Sequence, residues 1–275
     1  PAASTAFASL IARAEADKKI AMYSTHSDES YVPSDGESSK LEDAGIYDVG
    51  SGKVCCFADA PASFAADPAK SDRYRDTVVS LLCGSGIREF TRRKDGIDLV
   101  GELEKQYDFV RSVDGIDAAK GKVICIDEAM DDAAEEANLT LLADATRASI
   151  AKLQERGGEG FFLMVEGAKI DYAGHSRCLP GSVIETLSFD LAVAEALKFA
   201  DTNGETLVIV TADHETGGLV VVDGDEHTGR VTGVYVSDDH TPAMLPVFAY
   251  GPGADKFCGT YMNTEIARRI KSLIK

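Results

Sequence analysis

The chain has 275 residues, of which 44% are hydrophobic and 27% charged, and its formal net charge at pH 7 is −18. These values are typical of a globular α/β protein with one large core or two small ones, and no apolar run reaches the roughly 18 residues of a membrane-spanning helix. Because so acidic a surface repels phosphate backbones and anionic lipids, we expect neither nucleic acid nor a membrane as a partner.

Predicted helices and strands alternate along the first half of the chain. Helical periodicity at 5–17 is followed by a buried strand at 18–24, and residues 25–52 are rich in Ser, Asp and Gly, which predicts a long loop. The further elements predicted in this half are a strand at 53–59, helices at 71–83 and 96–106, a strand at 121–127 and a helix at 136–156.

The pattern is more regular in the second half. Residues 160–166 form a continuous apolar run, which is typical of a central parallel strand, and a helix at 182–202 ends at the turn Asn203-Gly204. The other predicted elements are a strand at 206–213, hairpin strands at 219–223 and 233–237, a strand at 245–253 and a helix at 263–274. We therefore predict a single α/β domain spanning 1–275, with a mostly parallel central sheet sandwiched by helices.

Six cysteines are present, but none of them forms a C-x-x-C pair. This spacing argues against a zinc ribbon or a thioredoxin-like site. Cys55, Cys56 and Cys125 lie in apolar strand-like runs, so we predict that they are small buried hydrophobic residues.

Candidate metal ligands stand at the ends of two predicted strands and in the loop before a third. Ligand sites of α/β sheets lie beyond the carboxyl ends of the strands. The candidates are Glu166, Asp171 and His175 after the strand at 160–166, Asp213 and His214 at the end of the strand at 206–213, and His240 before the strand at 245–253. Asp171 and His175 are four residues apart, so one helical turn points both side chains the same way.

The residue types at these positions favour a metal centre. The chain has only five histidines, and three of them, His175, His214 and His240, stand beside carboxylates at the ends of predicted strands or loops. Zinc prefers imidazole and carboxylate ligands, whereas magnesium prefers oxygen ligands such as Glu166. A single strand-end Asp is usually a helix cap or a turn residue. Three such clusters after successive elements favour a site that can clamp a phosphoryl group between two zinc ions.

Three segments resemble the metal motifs of the alkaline phosphatase family: GFFLMVEGAKIDYAGH, TLVIVTADHETGG and HTPAMLPVFAYGPGADKF. The resemblance implies hydrolysis of small phosphate monoesters with two zinc ions and one magnesium ion. The ligand roles it implies are Asp171, His175 and His240 for the first zinc, Asp213 and His214 for the second, and Glu166 for magnesium.

The resemblance extends more weakly upstream, through GSGIREFTRRKDGIDLVGELEKQYDFV and ADAPASFAAD, and covers roughly 53–275. It implies an exported bacterial protein, periplasmic or secreted, that forms a homodimer. The sequence opens without a basic segment followed by an apolar one, so no signal peptide supports export. The short stretch between His214 and His240 leaves little room for an extra subdomain at a dimer interface.

The serine nucleophile expected from the family, in a D-S-A-A type motif, is not found. The chain begins PAASTAF, which resembles the residues just after such a serine, so either Pro1 stands at the nucleophile position or the motif precedes the first residue. We therefore expect a domain shortened at its N-terminus, with the nucleophile unassigned and Ser4 a weak substitute. The family's magnesium-binding threonine is also replaced, in Asp59-Ala60-Pro61, and Arg73 is the nearest candidate for a bidentate phosphate contact.

Several alternatives stay open. The chain could be a fragment, a metal-binding remnant without turnover, or an enzyme in which zinc-activated water attacks phosphate. Phosphodiesterases, sulfatases and cofactor-independent phosphoglycerate mutases are alternative enzyme classes, although the segments TADHETGG and FFLMVEG favour a phosphatase. His26 and Glu29 also resemble the first metal motif of sporulation cell-wall amidases, but no second histidine follows until His175, so that three-ligand site is incomplete.

Overall fold

The computed structural model describes residues 20–22, 80–92, 96, 98–131, 138–156 and 160–273. The predicted helix at 5–17, the loop at 25–52 and the strand at 53–59 lie outside these residues. The chain divides into two compact units. The first comprises Pro1–Asp132, Asp144–Glu166 and Gly259–Lys275, and the second comprises Ala133–Ala143 and Gly167–Cys258. The prediction of a single domain stays a prediction.

A five-stranded sheet of entirely parallel pairs forms the first unit, in the order β3-β4-β2-β1-β5. Its strands are β1 (Ile20–Met22), β2 (Leu81–Gly84), β3 (Tyr107–Val110), β4 (Lys122–Ile126) and β5 (Phe162–Met164). Consecutive residues of β2 and β4 are almost fully buried: Leu81, Leu82, Cys83 and the run from Val123 to Ile126 are at most 1% exposed. Burial on both strand faces accounts for their continuous apolar sequence.

The helices of this unit are short, apart from two. They are α1 (Ile87–Thr91), α2 (Leu99–Leu103), α3 (Gly115–Ala118), α4 (Leu141–Glu155) and, after the second unit, α7 (Thr264–Leu273). The Asp98 side chain caps α2 by accepting from the Gly101 amide at 3.0 Å. The N-terminus of α1 is occupied by Glu128, whose Oε1 accepts from the amides of Gly86 and Ile87 at 2.9 and 2.7 Å.

One buried lysine joins two helices of the first unit. Lys152 of α4 is 5% exposed, and its Nζ donates to the carbonyl oxygens of Asp117 and Ala119 at 3.2 and 2.7 Å. Nζ also donates to Glu155 at 2.8 Å. The ammonium therefore satisfies carbonyls at the end of α3, which the helix itself leaves without a partner.

Two predictions in this unit were wrong or incomplete. The helix predicted at 71–83 is wrong at its end, because Leu81–Gly84 is a strand that pairs with two neighbours. A short apolar run does not distinguish a helix from a buried strand by periodicity alone. The edge strand β3 was not predicted. The strand at 121–127 and the helices at 96–106, 136–156 and 263–274 are confirmed, with shorter bounds.

Helices and small antiparallel sheets make up the second unit. Its elements are α5 (Lys169–His175), α6 (Leu179–Asn203), β6 (Val208–Val210), β7 (Glu215–Thr216), β8 (Val220–Asp225), β9 (Arg230–Val234), β10 (His240–Thr241) and β11 (Phe248–Tyr250). The predicted hairpin is confirmed as β8 and β9, although β9 begins earlier than expected. Strands β6 and β11 pair with each other in antiparallel fashion.

A left-handed residue ends the longest helix of this unit. Gly204, the C-cap of α6, has φ 71°, and its amide donates to the Ala200 carbonyl. Glycine adopts this conformation without steric cost, and the predicted end of the helix at Asn203-Gly204 is confirmed. Within the described ranges, no helix combines the length and the apolar character that crossing a membrane would require.

Candidate metal centre

Helix α5 carries the first two candidate ligands on one face. Asp171 and His175 lie one turn apart, and His175 Nε2 is 3.4 Å from Asp171 Oδ2. The helix packs closely on β7: a Cβ added at Gly174 would lie 2.9 Å from the Thr216 Cβ and 3.0 Å from its carbonyl oxygen. A glycine at this position therefore lets the ligand-bearing helix approach the strand.

The pairing of β7 with β10 brings two more histidines together. His214 immediately precedes β7, and His240 begins β10, whose partner across the ladder is Thr216. The rings of His214 and His240 stack, with centroids 3.4 Å apart and planes 17° from parallel. Asp213 stays beside His214, with its Oδ2 3.3 Å from His214 Nε2.

Nitrogen and oxygen atoms from these elements converge. His175 Nε2 lies 3.2 Å from His240 Nε2, and His240 Nε2 lies 3.5 Å from Asp171 Oδ1. One ligand atom from each of Asp171, His214 and His240 lies within 4.8 Å of the others. The side chains of these three residues are 13%, 16% and 17% exposed, so the cluster is largely shielded from water.

A backbone carbonyl determines the tautomer of His175. Its Nδ1 lies 2.7 Å from the carbonyl oxygen of Asp238. A carbonyl oxygen can only accept, so Nδ1 carries the proton and, in the neutral ring, Nε2 presents a lone pair to Asp171 and His240. Metal-binding histidines commonly donate their second ring N–H to a carbonyl in this way.

Thr216 determines the tautomer of His214. The Thr216 hydroxyl donates to Asp171 Oδ1 and lies 3.1 Å from His214 Nδ1. Since its single proton goes to the carboxylate, the hydroxyl accepts from His214 Nδ1–H. The neutral ring then directs an unprotonated Nε2 towards the Asp213 carboxylate, and this contact requires a proton or a cation between the two atoms.

Sequence reasoning did not single out Thr216, although it lies inside the TADHETGG segment. The signal was its spacing: residues two apart on an extended segment point to the same face, so Thr216 accompanies His214. Glu215 points the other way. Its carboxylate accepts from the amides of Gly218 and Leu219 at 3.0 and 3.2 Å and from the Thr241 hydroxyl, which joins β7 to β10.

Comparison with known proteins places this chain in a family. Residues 85–232, more than half of the chain, match the family model for alkaline phosphatase. The chain belongs to the alkaline phosphatase family. The matched range contains Asp171, His175, Asp213 and His214, and His240 lies just beyond it.

Alkaline phosphatases and one related phosphatase are similar to this chain over alignments of different length. The streptomycin-6-phosphate phosphatase of Streptomyces griseus is 38% identical over an alignment of 149 positions, which covers 46% of this chain and 33% of that protein. Alkaline phosphatase 3 of Bacillus subtilis is 26% identical over 293 aligned residues, covering 73% of this chain and 60% of that protein. The chain thus spans between a third and three-fifths of the length of these relatives.

A solved structure shows the same fold. The alkaline phosphatase of the Antarctic bacterium TAB5 has a TM-score of 0.66 and 30% sequence identity, and the match covers 79% of this chain and 68% of that one. The predicted α/β class with a mostly parallel sheet is therefore confirmed.

Some predicted site residues are not part of the described cluster. Glu166 lies two residues beyond β5, in the first compact unit, and its role as a magnesium ligand stays a prediction. Arg73, the proposed phosphate contact, lies outside the described residues, and so do His26, Glu29 and Ser4.

Proposed function

We propose that this chain is a metal-dependent phosphate monoester hydrolase of the alkaline phosphatase type, working with two zinc ions and one magnesium ion. The observation that carries the proposal is the position of His240 Nε2, which lies 3.2 Å from His175 Nε2 and 3.5 Å from Asp171 Oδ1. Ring nitrogens and a carboxylate oxygen at these distances need a cation or extra protons among them. A proton relay could use the same groups, but family membership favours metal.

The residues fit the proposed ions by their chemistry. Imidazole nitrogens and carboxylates are the ligands of catalytic zinc, and the Nδ1 atoms of His175 and His214 are both engaged by other groups, so that Nε2 is the ligand atom. We assign Asp171, His175 and His240 to the first zinc, Asp213 and His214 to the second, and Glu166 to magnesium.

When bound, the ions would polarise a phosphoryl oxygen and neutralise charge that develops on the ester. The protein's own residues keep the ligand atoms in place. Thr216 orients the Asp171 carboxylate through its hydroxyl, while the Asp238 carbonyl holds the His175 ring. Rigid support of this kind lowers the reorganisation needed during reaction.

The comparisons support the substrate class and one of the metals. A variant of the TAB5 enzyme contains magnesium in its M3 site, and the Streptomyces griseus relative is named for a phosphate monoester. The net charge of −18 is also relevant, because an anionic substrate approaches so acidic a protein more readily when cations occupy the site. A small phosphate ester as substrate, a periplasmic or secreted location and a homodimer belong to the same proposal.

Hydrolysis of p-nitrophenyl phosphate tests the function. We would measure turnover by the zinc- and magnesium-loaded protein at mildly alkaline pH, with EDTA treatment and a His214→Ala variant. His227→Ala is the matched control, because His227 lies in the turn between β8 and β9. Zinc binding is measured separately by competition with a chromophoric chelator.

Turnover that is lost with EDTA and in His214→Ala, but kept in His227→Ala, is the expected result. Tight zinc binding without turnover would indicate the alternative, a metal-binding remnant or fragment without the serine nucleophile. Absence of zinc binding at micromolar metal would overturn the metal centre itself.

A further inference from the structure

Arg177 has an unusual backbone conformation for an arginine. Its φ is 52°, and it is the one non-glycine residue with positive φ among those that the structure describes. Side chains with a Cβ rarely adopt this region, because the Cβ approaches the following carbonyl. Glycine or asparagine is usual at such a position after a helix, so arginine here carries a small conformational cost.

The Arg177 side chain contacts the loop before β10. Its Nε donates to the Ser237 carbonyl at 3.1 Å, and a terminal nitrogen lies 3.2 Å from the Asp238 carboxylate. The guanidinium therefore contacts both sides of the peptide link between Ser237 and Asp238. The next carbonyl along the chain, that of Asp238, is the acceptor for His175 Nδ1.

Gly217 holds the same loop from the other side. Its carbonyl accepts from the Ser237 amide at 3.0 Å, and its amide donates to the Asp239 carbonyl at 3.0 Å. These bonds use the Ser237 amide and the Asp239 carbonyl, whereas the Asp238 carbonyl accepts from His175 Nδ1. Arg177 holds the peptide between Ser237 and Asp238, which immediately precedes the Asp238 carbonyl.

The side-chain contacts of Arg177 offer little stability. The Arg177 and Asp238 side chains are 52% and 74% exposed, and exposed ion pairs of this kind contribute little to folding. The left-handed backbone itself ends α5, because the amides of Arg177 and Cys178 donate to the carbonyls of Gly174 and Ala173, each at 2.9 Å. This helix end accounts for the backbone conformation, but it does not require the guanidinium contacts.

We propose that Arg177 is a positioning residue for the metal centre. By fixing the Ser237–Asp238 peptide, it keeps the Asp238 carbonyl as acceptor for His175 Nδ1, so that the His175 Nε2 lone pair faces Asp171 and His240. This inference rests on the proposed zinc site. It predicts that the arginine improves metal affinity at a cost in backbone strain.

The test compares Arg177→Asn and Arg177→Lys with the wild-type protein. Asparagine tolerates the left-handed conformation, so the variant keeps or raises the melting temperature of the metal-free protein. It loses the guanidinium, and we expect its zinc affinity to fall about 10-fold, as when an outer hydrogen-bond partner of a ligand is lost. Lysine contacts one acceptor at a time and gives an intermediate loss.

Zinc affinity is measured by chelator competition, and the Co²⁺ absorption bands of each loaded variant report the ligand geometry. The control is Arg230→Asn, because Arg230 forms a similarly exposed pair with Asp223 at 2.8 Å on the hairpin. Its zinc affinity and Co²⁺ spectrum are expected to match those of the wild type.

The two proposals fail in different ways. A wild-type protein without zinc affinity would overturn the proposed metal function and this inference with it. Wild-type affinity and an unchanged Co²⁺ spectrum in both Arg177 variants would overturn only the role of Arg177. A melting temperature that falls in Arg177→Asn, in parallel with zinc affinity, would show a merely structural role and also overturn it.

Discussion

The imidazole rings of His214 and His240 lie face to face, with centroids 3.4 Å apart. His240 begins β10, and His214 immediately precedes β7, which pairs with β10 in antiparallel fashion. The Glu215 carboxylate also joins the two strands by accepting from Thr241. The stack therefore depends on β7–β10 pairing, and each ring also directs a nitrogen towards a carboxylate.

Replacing His240 by Phe separates stacking from metal binding. The phenyl ring keeps an aromatic partner for His214 but has no nitrogen, so the melting temperature of the metal-free protein should change little. Zinc affinity should fall by more than the roughly 10- to 100-fold that loss of an outer partner costs. Chelator competition measures this, and wild-type zinc affinity in His240→Phe would contradict the assignment of His240 as a ligand.

Thr216→Val removes the hydroxyl that connects Asp171 to His214, with little change in shape. Both ligands lose an orienting hydrogen bond, so zinc affinity should fall roughly 10- to 100-fold. Thr216→Ser keeps the hydroxyl and is the matched control, with affinity close to that of the wild type. Equal losses in the two variants would show that the methyl group, and not the hydrogen bond, matters.

Gly174→Ala tests the close approach of α5 to β7. The added methyl would lie 2.9 Å from the Thr216 Cβ, so the helix must shift. Overpacking of this kind costs about 1–3 kcal/mol, which exceeds the gain of up to about 1 kcal/mol from replacing a helical glycine. Urea unfolding measures the change. Gly121→Ala is the control, because its Cβ would lie an ordinary 3.6 Å from the nearest described atom, Asp108 Oδ2.

Lys152→Met tests the buried ammonium of α4. Methionine has a similar length but leaves the carbonyls of Asp117 and Ala119 without their donor. An unsatisfied buried acceptor costs about 1–3 kcal/mol, so the free energy of unfolding should fall by that amount. Urea unfolding at neutral pH checks this prediction, and an unchanged midpoint would show that water replaces the ammonium. Arg147→Met, which breaks an exposed pair with Asp144, should have a smaller effect.

Asp108 should make stability depend on acid pH. The amides of Gly121 and Lys120 donate to its carboxylate, in that order of importance, and lower its pKa. A lowered folded-state pKa stabilises the protein above the unfolded value of about 3.9, and that contribution is lost as pH falls through the folded-state pKa.

Asp108→Asn removes this titration. The difference in unfolding free energy between wild type and variant should therefore shrink as pH falls below about 4, and stay constant between about pH 6 and pH 8. Urea unfolding across this range measures it. A difference that grows as the solution becomes more acidic would contradict the sign.

Local sequence patterns were sufficient for several parts of the fold. The spacing of Asp171 and His175 predicted that they share a helix face, because side chains four residues apart on a helix are neighbours. The apolar run at 121–127 predicted a buried strand, and Asn203-Gly204 predicted the end of α6. Each of these features depends on residues close together in the chain.

Tertiary structure decided what depends on distant residues. Leu81–Gly84 is a strand because two neighbours pair with it, although its sequence was compatible with a helix. The acceptor for His175 is the carbonyl of Asp238. Every residue has a main-chain carbonyl, so the sequence does not show which one accepts. The sequence alone thus determined the types and spacing of the candidate ligands. Which atoms meet, and which tautomer each histidine adopts, depended on long-range pairing, because a hydrogen bond requires a position and a direction that local periodicity does not contain.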